Sequence, residues 1–389
     1  MRISSRRVLA SWVVGATLIA TGCGSDATES TADPVVDSVT EEAVVADSTA
    51  TPDEAAAPVE MTKVRLGVVG ASMQVTFAPY TSVPINQGYF AEEGIELEIQ
   101  NLAGSAEVVQ AVAAGQLDVG VILSPPLYSA VNIGADVQGF YNLITTNFAV
   151  PHVPVDSEIE TILDLEGTTV GAVSLGAGAI PLIKAMVASE GGDPESIDFV
   201  AVGAGADVAT VIESGDIDVV GLWDAVYARL AGLGIELRPV SNDFFNELGF
   251  QGPIFARSSA LADDPDLYER FGRAVAKASV FTKANPSAAV LAHWAEFPDT
   301  KPTGVDDDKA LADTLAGIEA RLSSSAAVDG RWGYASPEEI NEFAEVLVAG
   351  GGLEETPDPA MVYTDALIDG INDFDPAPIE AAAQNYGDE

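Results

Sequence analysis

The stretch Ala113-Ala114-Gly115-Gln116-Leu117-Asp118-Val119 returns a hundred residues later as Glu213-Ser214-Gly215-Asp216-Ile217-Asp218-Val219. Around it, Ala106, Val108 and Gly134 recur as Ala206, Val208 and Gly234, with Glu107 opposite Asp207. Identities are few, and the shared pattern carries the inference. An apolar helix is followed by a Gly-x-[Leu/Ile]-Asp turn, a buried strand and a second helix. An α/β unit repeated at this spacing implies two lobes of similar build. Clefts between such lobes are where small ligands bind.

Reading outward, apolar alternation and buried runs predict strands at 63–69, 95–100 and 119–123 in the first half. The second half repeats them at 169–173, 199–202, 219–223 and 237–240. Helical spacing predicts helices at 105–114, 127–133, 179–189, 207–213 and 225–233, and a loop then helix over 77–93. The segment 253–257 carries the chain back to the first lobe. Beyond it the sequence reads as helices at 266–284, 287–294, 307–323, 337–347 and 360–371. The expected fold class is α/β, with mostly parallel sheets flanked by helices and a helical C-terminal region. The expected lobes are 62–147 plus 253–389, and 148–252, hinged near 145–150 and 250–255.

The N-terminus has the anatomy of an export leader. Arg2, Arg6 and Arg7 precede an apolar run at 8–20, then Gly22-Cys23. The run is too short and too interrupted for a membrane span. Cys23 is the sole cysteine. Leu18-Ile19-Ala20-Thr21-Gly22-Cys23 resembles a bacterial lipobox, although Ala20 stands where Leu is more usual. That resemblance implies a signal peptide at 1–22, lipidation at Cys23 and an extracytoplasmic protein anchored to the cell membrane. The alternative is an ordinary secretory signal. From Gly24 to Met61 there are ten acidic residues and no Lys or Arg, a composition expected of a disordered tether. The formal net charge of −43 argues against nucleic acid or anionic lipid headgroups as partners.

Three further stretches carry a family resemblance. Gln87-Gly88-Tyr89-Phe90-Ala91-Glu92-Glu93-Gly94-Ile95 resembles the "G-Y-F-x-x-x-G-[ILV]" signature of substrate-binding proteins of ABC importers, in the sulfonate, nitrate, taurine and thiamine-pyrimidine group. Ala113 to Gly120 resembles its "A-x-G-x-[ILV]-D" element. Ile162-Leu163-Asp164-Leu165-Glu166-Gly167-Thr168-Thr169-Val170-Gly171 resembles its "D-L-x-G-K-x-V-G" element, with Thr in place of the usual Lys. Asn285-Pro286-Ser287-Ala288-Ala289 and Trp332-Gly333-Tyr334 are similar to its C-terminal lobe. The resemblance implies a periplasmic-binding-protein type 2 clamshell, monomeric, that delivers a small solute to an ABC permease. A solute sensor docking on a receptor and a pyrimidine-synthase-like enzyme are the alternatives. The synthases use a cysteine-rich motif that this chain lacks.

Catalytic constellations are scarce. His152 and His293 are far apart and read as structural or exposed residues. No spacing suggests zinc, no phosphate loop occurs, and Gly176-Ala177-Gly178 lacks the third glycine of a dinucleotide fingerprint. No cofactor, metal or catalytic residue is expected. Ligands of open α/β sheets sit beyond the carboxyl ends of the strands. That rule points to the loops at 70–77, 123–126, 173–179 and 223–224. The candidate ligand-binding residues are Ser72, Phe77, Ser124, Pro125, Asn147, Ser174, Gly176, Ala177, Gly178, Trp223 and Asp224. Ser124 and Asp224 are expected at matching places in the two repeats. Asp224 reads either as a helix N-cap or as an acceptor for a ligand N–H. No Arg or Lys lies in these loops, so a strong anion would depend on backbone N–H groups and helix dipoles. A neutral heteroaromatic, a zwitterion or a small amine fits at least as well.

Overall fold

The computed structural model describes residues 61–205 and 207–387. The leader, Cys23 and nearly all of the tether lie outside the described residues, as does Ala206 of the repeat comparison. One five-stranded sheet contains β1 (Thr62–Val69), β2 (Ile95–Leu102), β3 (Val119–Val121), β4 (Gln138–Asn142) and the late strand β10 (Pro253–Ala256). Its order is β2-β1-β3-β10-β4. The other contains β5 (His152–Pro154), β6 (Thr169–Ala172), β7 (Asp198–Ala201), β8 (Val219–Gly221) and β9 (Leu237–Pro239), in the order β7-β6-β8-β5-β9.

Both sheets are mixed in the same way. β1 is parallel to β2 and β3, and β6 is parallel to β7 and β8. The fourth strand across, β10 or β5, is antiparallel to both its neighbours. Each antiparallel strand lies next to a crossing between the lobes. The chain passes from β4 to β5 and later from β9 to β10, so both crossings end on strands held between two others.

The helices that matter for the cleft are α1 (Ser105–Ala113) and α2 (Pro125–Asn132) in the first lobe. The second lobe has α3 (Ala179–Ser189), α4 (Asp207–Ser214) and α5 (Asp224–Gly232). The C-terminal region supplies α6 (Pro265–Ala284), α7 (Pro286–Glu296), α8 (Asp307–Ser323) and α9 (Pro337–Ala349).

The hundred-residue repeat is physical. Gly115 and Gly215 follow α1 and α4 with φ of +68° and +73°, a left-handed turn that glycine makes without a Cβ penalty. Two residues on, Leu117 and Ile217 are buried. The aspartates then do the same job. Asp118 accepts a hydrogen bond from the Arg65 backbone N–H at 2.9 Å, and Asp218 from that of Thr169 at 2.8 Å. Each carboxylate thereby pins the entry of one strand to its parallel neighbour. The registers match as well, with Leu66 opposite Val119 and Val170 opposite Val219.

Two expectations about local structure are corrected. Residues 360–371 do not form one helix. Short helices Pro359–Val362 and Ile368–Ile371 flank a stretch in which the Thr364 N–H donates to the Gly139 carbonyl at 2.9 Å. The open edge of β4 captures that backbone and breaks the helix. Residues 77–93 fold as a 3-10 helix at Val75–Tyr80 and two short helices, Ser82–Asn86 and Tyr89–Glu92. Pro79, Pro84 and Gly88 interrupt a longer run.

Both histidines sit in structural settings. His152 stacks on Tyr227 with ring centroids 3.8 Å apart. His293 is fully buried with Nδ1 3.0 Å from the Ser82 hydroxyl, and burial lowers its pKa to about 4.

Candidate ligand-binding cleft

A pocket of about 90 Å³ lies between the two sheets, where both lobes and α8 converge. By this measure one water needs roughly 10–15 Å³, so the space suits a small molecule. Its wall is mostly apolar. The 3-10 helix brings Thr76, Phe77 and Tyr80. Residues three apart eclipse in such a helix, and the Phe77 and Tyr80 rings pack with centroids 5.6 Å apart. Phe148 comes from the first crossing, Ala177 and Gly178 from the loop into α3, Trp223 from the end of β8, and Arg321 from α8.

Arg321 is the one charged side chain on the wall among the described residues. Its Nε and Nη2 each donate to the Asp224 carboxylate at 2.8 Å. The guanidinium carbon lies 4.2 Å from the centre of the Phe148 ring. The two side chains are only 8% and 11% exposed. Burial acts against the Arg321 charge, but attraction to Asp224 and the paired hydrogen bonds outweigh it and raise its pKa. Burial also raises the pKa of the Tyr80 phenol, which stays neutral. Thr76 is 1% exposed and its hydroxyl has no hydrogen-bond partner.

Of the eleven candidate residues, Phe77, Ala177, Gly178 and Trp223 line this pocket. Ser124 stands at the head of α2 but is fully buried, and its hydroxyl donates to the Phe250 carbonyl; Pro125 follows it in the first turn. Asn147 accepts from the Ala149 N–H at 3.0 Å. Ser72 lies farther out, in a second groove beside α5 and α7. Ser174 and Gly176 shape the loop into α3 without reaching the pocket wall.

Asp224 is the clearest correction. The helix cap is Trp223, with Asp224 as the first helical residue. The Asp224 carboxylate accepts from Arg321 and, at 2.7 Å, from the Ala225 N–H of the first turn. Ser124 therefore matches Trp223, one residue off the expected pairing with Asp224. Arg321 was not among the candidates, because it lies on a helix rather than in a loop at a strand end. A signal was there: Ala310, Gly317, Ile318 and Arg321 are the buried positions of α8, so an arginine falls on the apolar stripe of that helix.

The lobes touch across the cleft. Trp223 Nε1 donates to the Gln74 side chain at 3.1 Å. The Ala106 N–H, in α1, meets the Gly176 carbonyl at 3.3 Å. Gly178 sits so close to the first lobe that an added Cβ would lie 2.6 Å from Leu123 Cβ.

Residues 77–289 match the protein-family model described as NMT1/THI5 like. A Brucella abortus (strain 2308) protein with a binding-protein description is 22% identical over 288 residues, covering 73% of this chain and 85% of that one. A 4-amino-5-hydroxymethyl-2-methylpyrimidine phosphate synthase of Aspergillus parasiticus is 28% identical over 230 residues, covering 56% and 65%. Among solved structures, the periplasmic nitrate-binding protein from Synechocystis PCC 6803 superposes with a TM-score of 0.60 at 13% identity, covering 84% of this chain and 99% of that one. The alkanesulfonate-binding protein from Xanthomonas axonopodis pv. citri gives 0.58 at 16% identity, covering 78% and 99%. At these identities the likeness shows the fold, that of two-lobed periplasmic binding proteins.

Proposed function

Because the chain belongs to the NMT1/THI5-like family, we propose that it is the solute-binding component of an ABC importer, capturing a small organic solute between its lobes and delivering it to a membrane permease. The observation that carries this reading is the pocket itself, closed by residues from both lobes and walled by aromatic rings. One relative, the Aspergillus protein, bears the name of a synthase. Among the described residues the pocket wall holds no cysteine, histidine or carboxylate to act as nucleophile or proton carrier. Among the described residues no helix is long and apolar enough to cross a membrane.

The test is a thermal-shift screen against pyrimidines, flavins, sulfonates, polyamines and nitrate. A solute present at a hundred times its Kd adds about 2.7 kcal/mol to stability. At least one solute is expected to raise the melting temperature by a few degrees. No shift with any of them would count against the reading.

The same proposal places the protein outside the cytoplasm, tethered through a lipid on Cys23 and acting as a monomer. Cys23→Ser is expected to move it from membrane to soluble fractions. Unchanged membrane association would overturn the anchor. A single acyl chain binds bilayers only marginally, so full lipoprotein modification is implied.

A further inference from the structure

We propose that Glu107 holds the lobes apart until solute is bound, because closing them strips one oxygen of its carboxylate of water and returns no hydrogen bond. This rests on the solute-binding reading above and adds to it what keeps the empty protein open.

The seam between the lobes is built for close backbone approach. Gly104 precedes α1, and an added Cβ there would lie 2.5 Å from Ser174 Oγ, 2.8 Å from Glu107 Oε2 and 3.0 Å from the Gly176 carbonyl oxygen. An added Cβ on Gly176 would lie 2.9 Å and 3.1 Å from the two carboxylate oxygens of Glu107. Together with Gly178 against Leu123, these glycines let the loop 174–178 settle on the start of α1. The Ala106 N–H donates across the seam to the Gly176 carbonyl at 3.3 Å. These contacts favour closure.

Glu107 opposes it. The residue lies in the first turn of α1, and its Oε2 is buried without a hydrogen-bond partner among the described residues. What the second lobe brings to the same point beside Gly104 is more oxygen: the Gly176 carbonyl and Ser174 Oγ. Ser174 Oγ itself accepts from the Gly176 N–H at 3.3 Å. A carboxylate oxygen taken from water without a donor to replace it is unfavourable, and parting the lobes gives the water back. The repeat supplies the comparison. Asp207 holds the matching place in the first turn of α4 and is exposed. Both acids suit the start of a helix, but Glu107 also has the backbone of the other lobe set against it. A glycine seam that favours closure and a carboxylate that resists it make a two-state element, whose balance a solute tips.

The experiment reads the full chain without solute. Small-angle scattering gives its radius of gyration, and amide hydrogen exchange follows the Ala106 N–H. That N–H stands in the first turn of α1, where a helix offers it no partner of its own, so its protection reports the contact between lobes. Glu107→Gln keeps the side-chain shape, removes the charge and adds an amide that can donate to the Gly176 carbonyl. It is expected to shrink the solute-free radius of gyration and to slow exchange at Ala106 roughly tenfold relative to the wild type. Glu107→Ala removes the charge without adding a donor. It should shift both readings the same way by less, and it keeps the proposal falsifiable if Glu107→Gln folds poorly. Asp207→Asn removes the same charge from the matching helix start and should change neither reading. An unchanged radius and unchanged exchange in both Glu107 variants would overturn the inference while leaving solute binding intact. Equal changes in Asp207→Asn would also overturn it, because they would trace the effect to net charge. A flat thermal-shift screen beside a contracted Glu107→Gln would remove the solute reading and leave the two-state seam standing.

Discussion

Arg321→Met is expected to be less stable than the wild type by about 3–5 kcal/mol, the range for removing one partner of a buried ion pair. Asp224→Leu should cost a similar amount. The reason lies in what each substitution leaves behind. Both side chains are almost wholly buried, and a lone charge there has neither water nor partner. The double variant, with two apolar side chains facing each other, should recover much of the loss, since well-packed apolar pairs often match buried ion pairs. Denaturant unfolding of the four proteins completes a double-mutant cycle. If the double variant loses the sum of the two single effects, the residues are not coupled and the pair is not what stabilises this wall.

The second large effect is expected from Gly178→Val. Gly178 has φ of −65°, a conformation open to any residue, so the backbone itself imposes no strain. The obstacle is the other lobe. An added Cβ would lie 2.6 Å from Leu123 Cβ and 3.3 Å from both Pro126 Cδ and Ser105 Oγ. A Cβ atom is fixed to its backbone and cannot swing away, so the lobes must part. Overpacking of this kind costs about 1–3 kcal/mol. If that cost falls on closure, it corresponds to a loss of affinity of roughly 5- to 150-fold. Melting temperature without solute should change little. Gly232→Ala is the control, because nothing lies within 4 Å of its added Cβ. Equal affinities of the Gly178 and Gly232 variants would show that contact at Gly178 does not govern capture.

The lobes were legible in the sequence because the motif that builds them is local. Gly115, Leu117 and Asp118 each have a task within a few residues or on the adjacent strand, and Gly215, Ile217 and Asp218 repeat it. Phe77, Ala177, Gly178 and Trp223 were within reach because the ends of strands can be located from the pattern. The Asp224–Arg321 pair was not, since its partners stand 97 residues apart and join different elements. A local rule made Asp224 an N-cap. The capping preference is worth about 1 kcal/mol, and a buried guanidinium competes for the same carboxylate with more. Ser124 shows the same limit. Its position at the head of α2 was readable, but the Phe250 carbonyl that claims its hydroxyl comes from 126 residues away.

The proposed capture role requires that a solute draw the two lobes together over the pocket. The lobes touch in the present structure through Trp223–Gln74 and Ala106–Gly176, so the chain without solute is expected to open. Small-angle scattering on the wild type, with and without a saturating solute from the thermal-shift screen, measures this directly. A smaller radius of gyration is expected with solute; the same radius in both states, at proven saturation, would contradict closure.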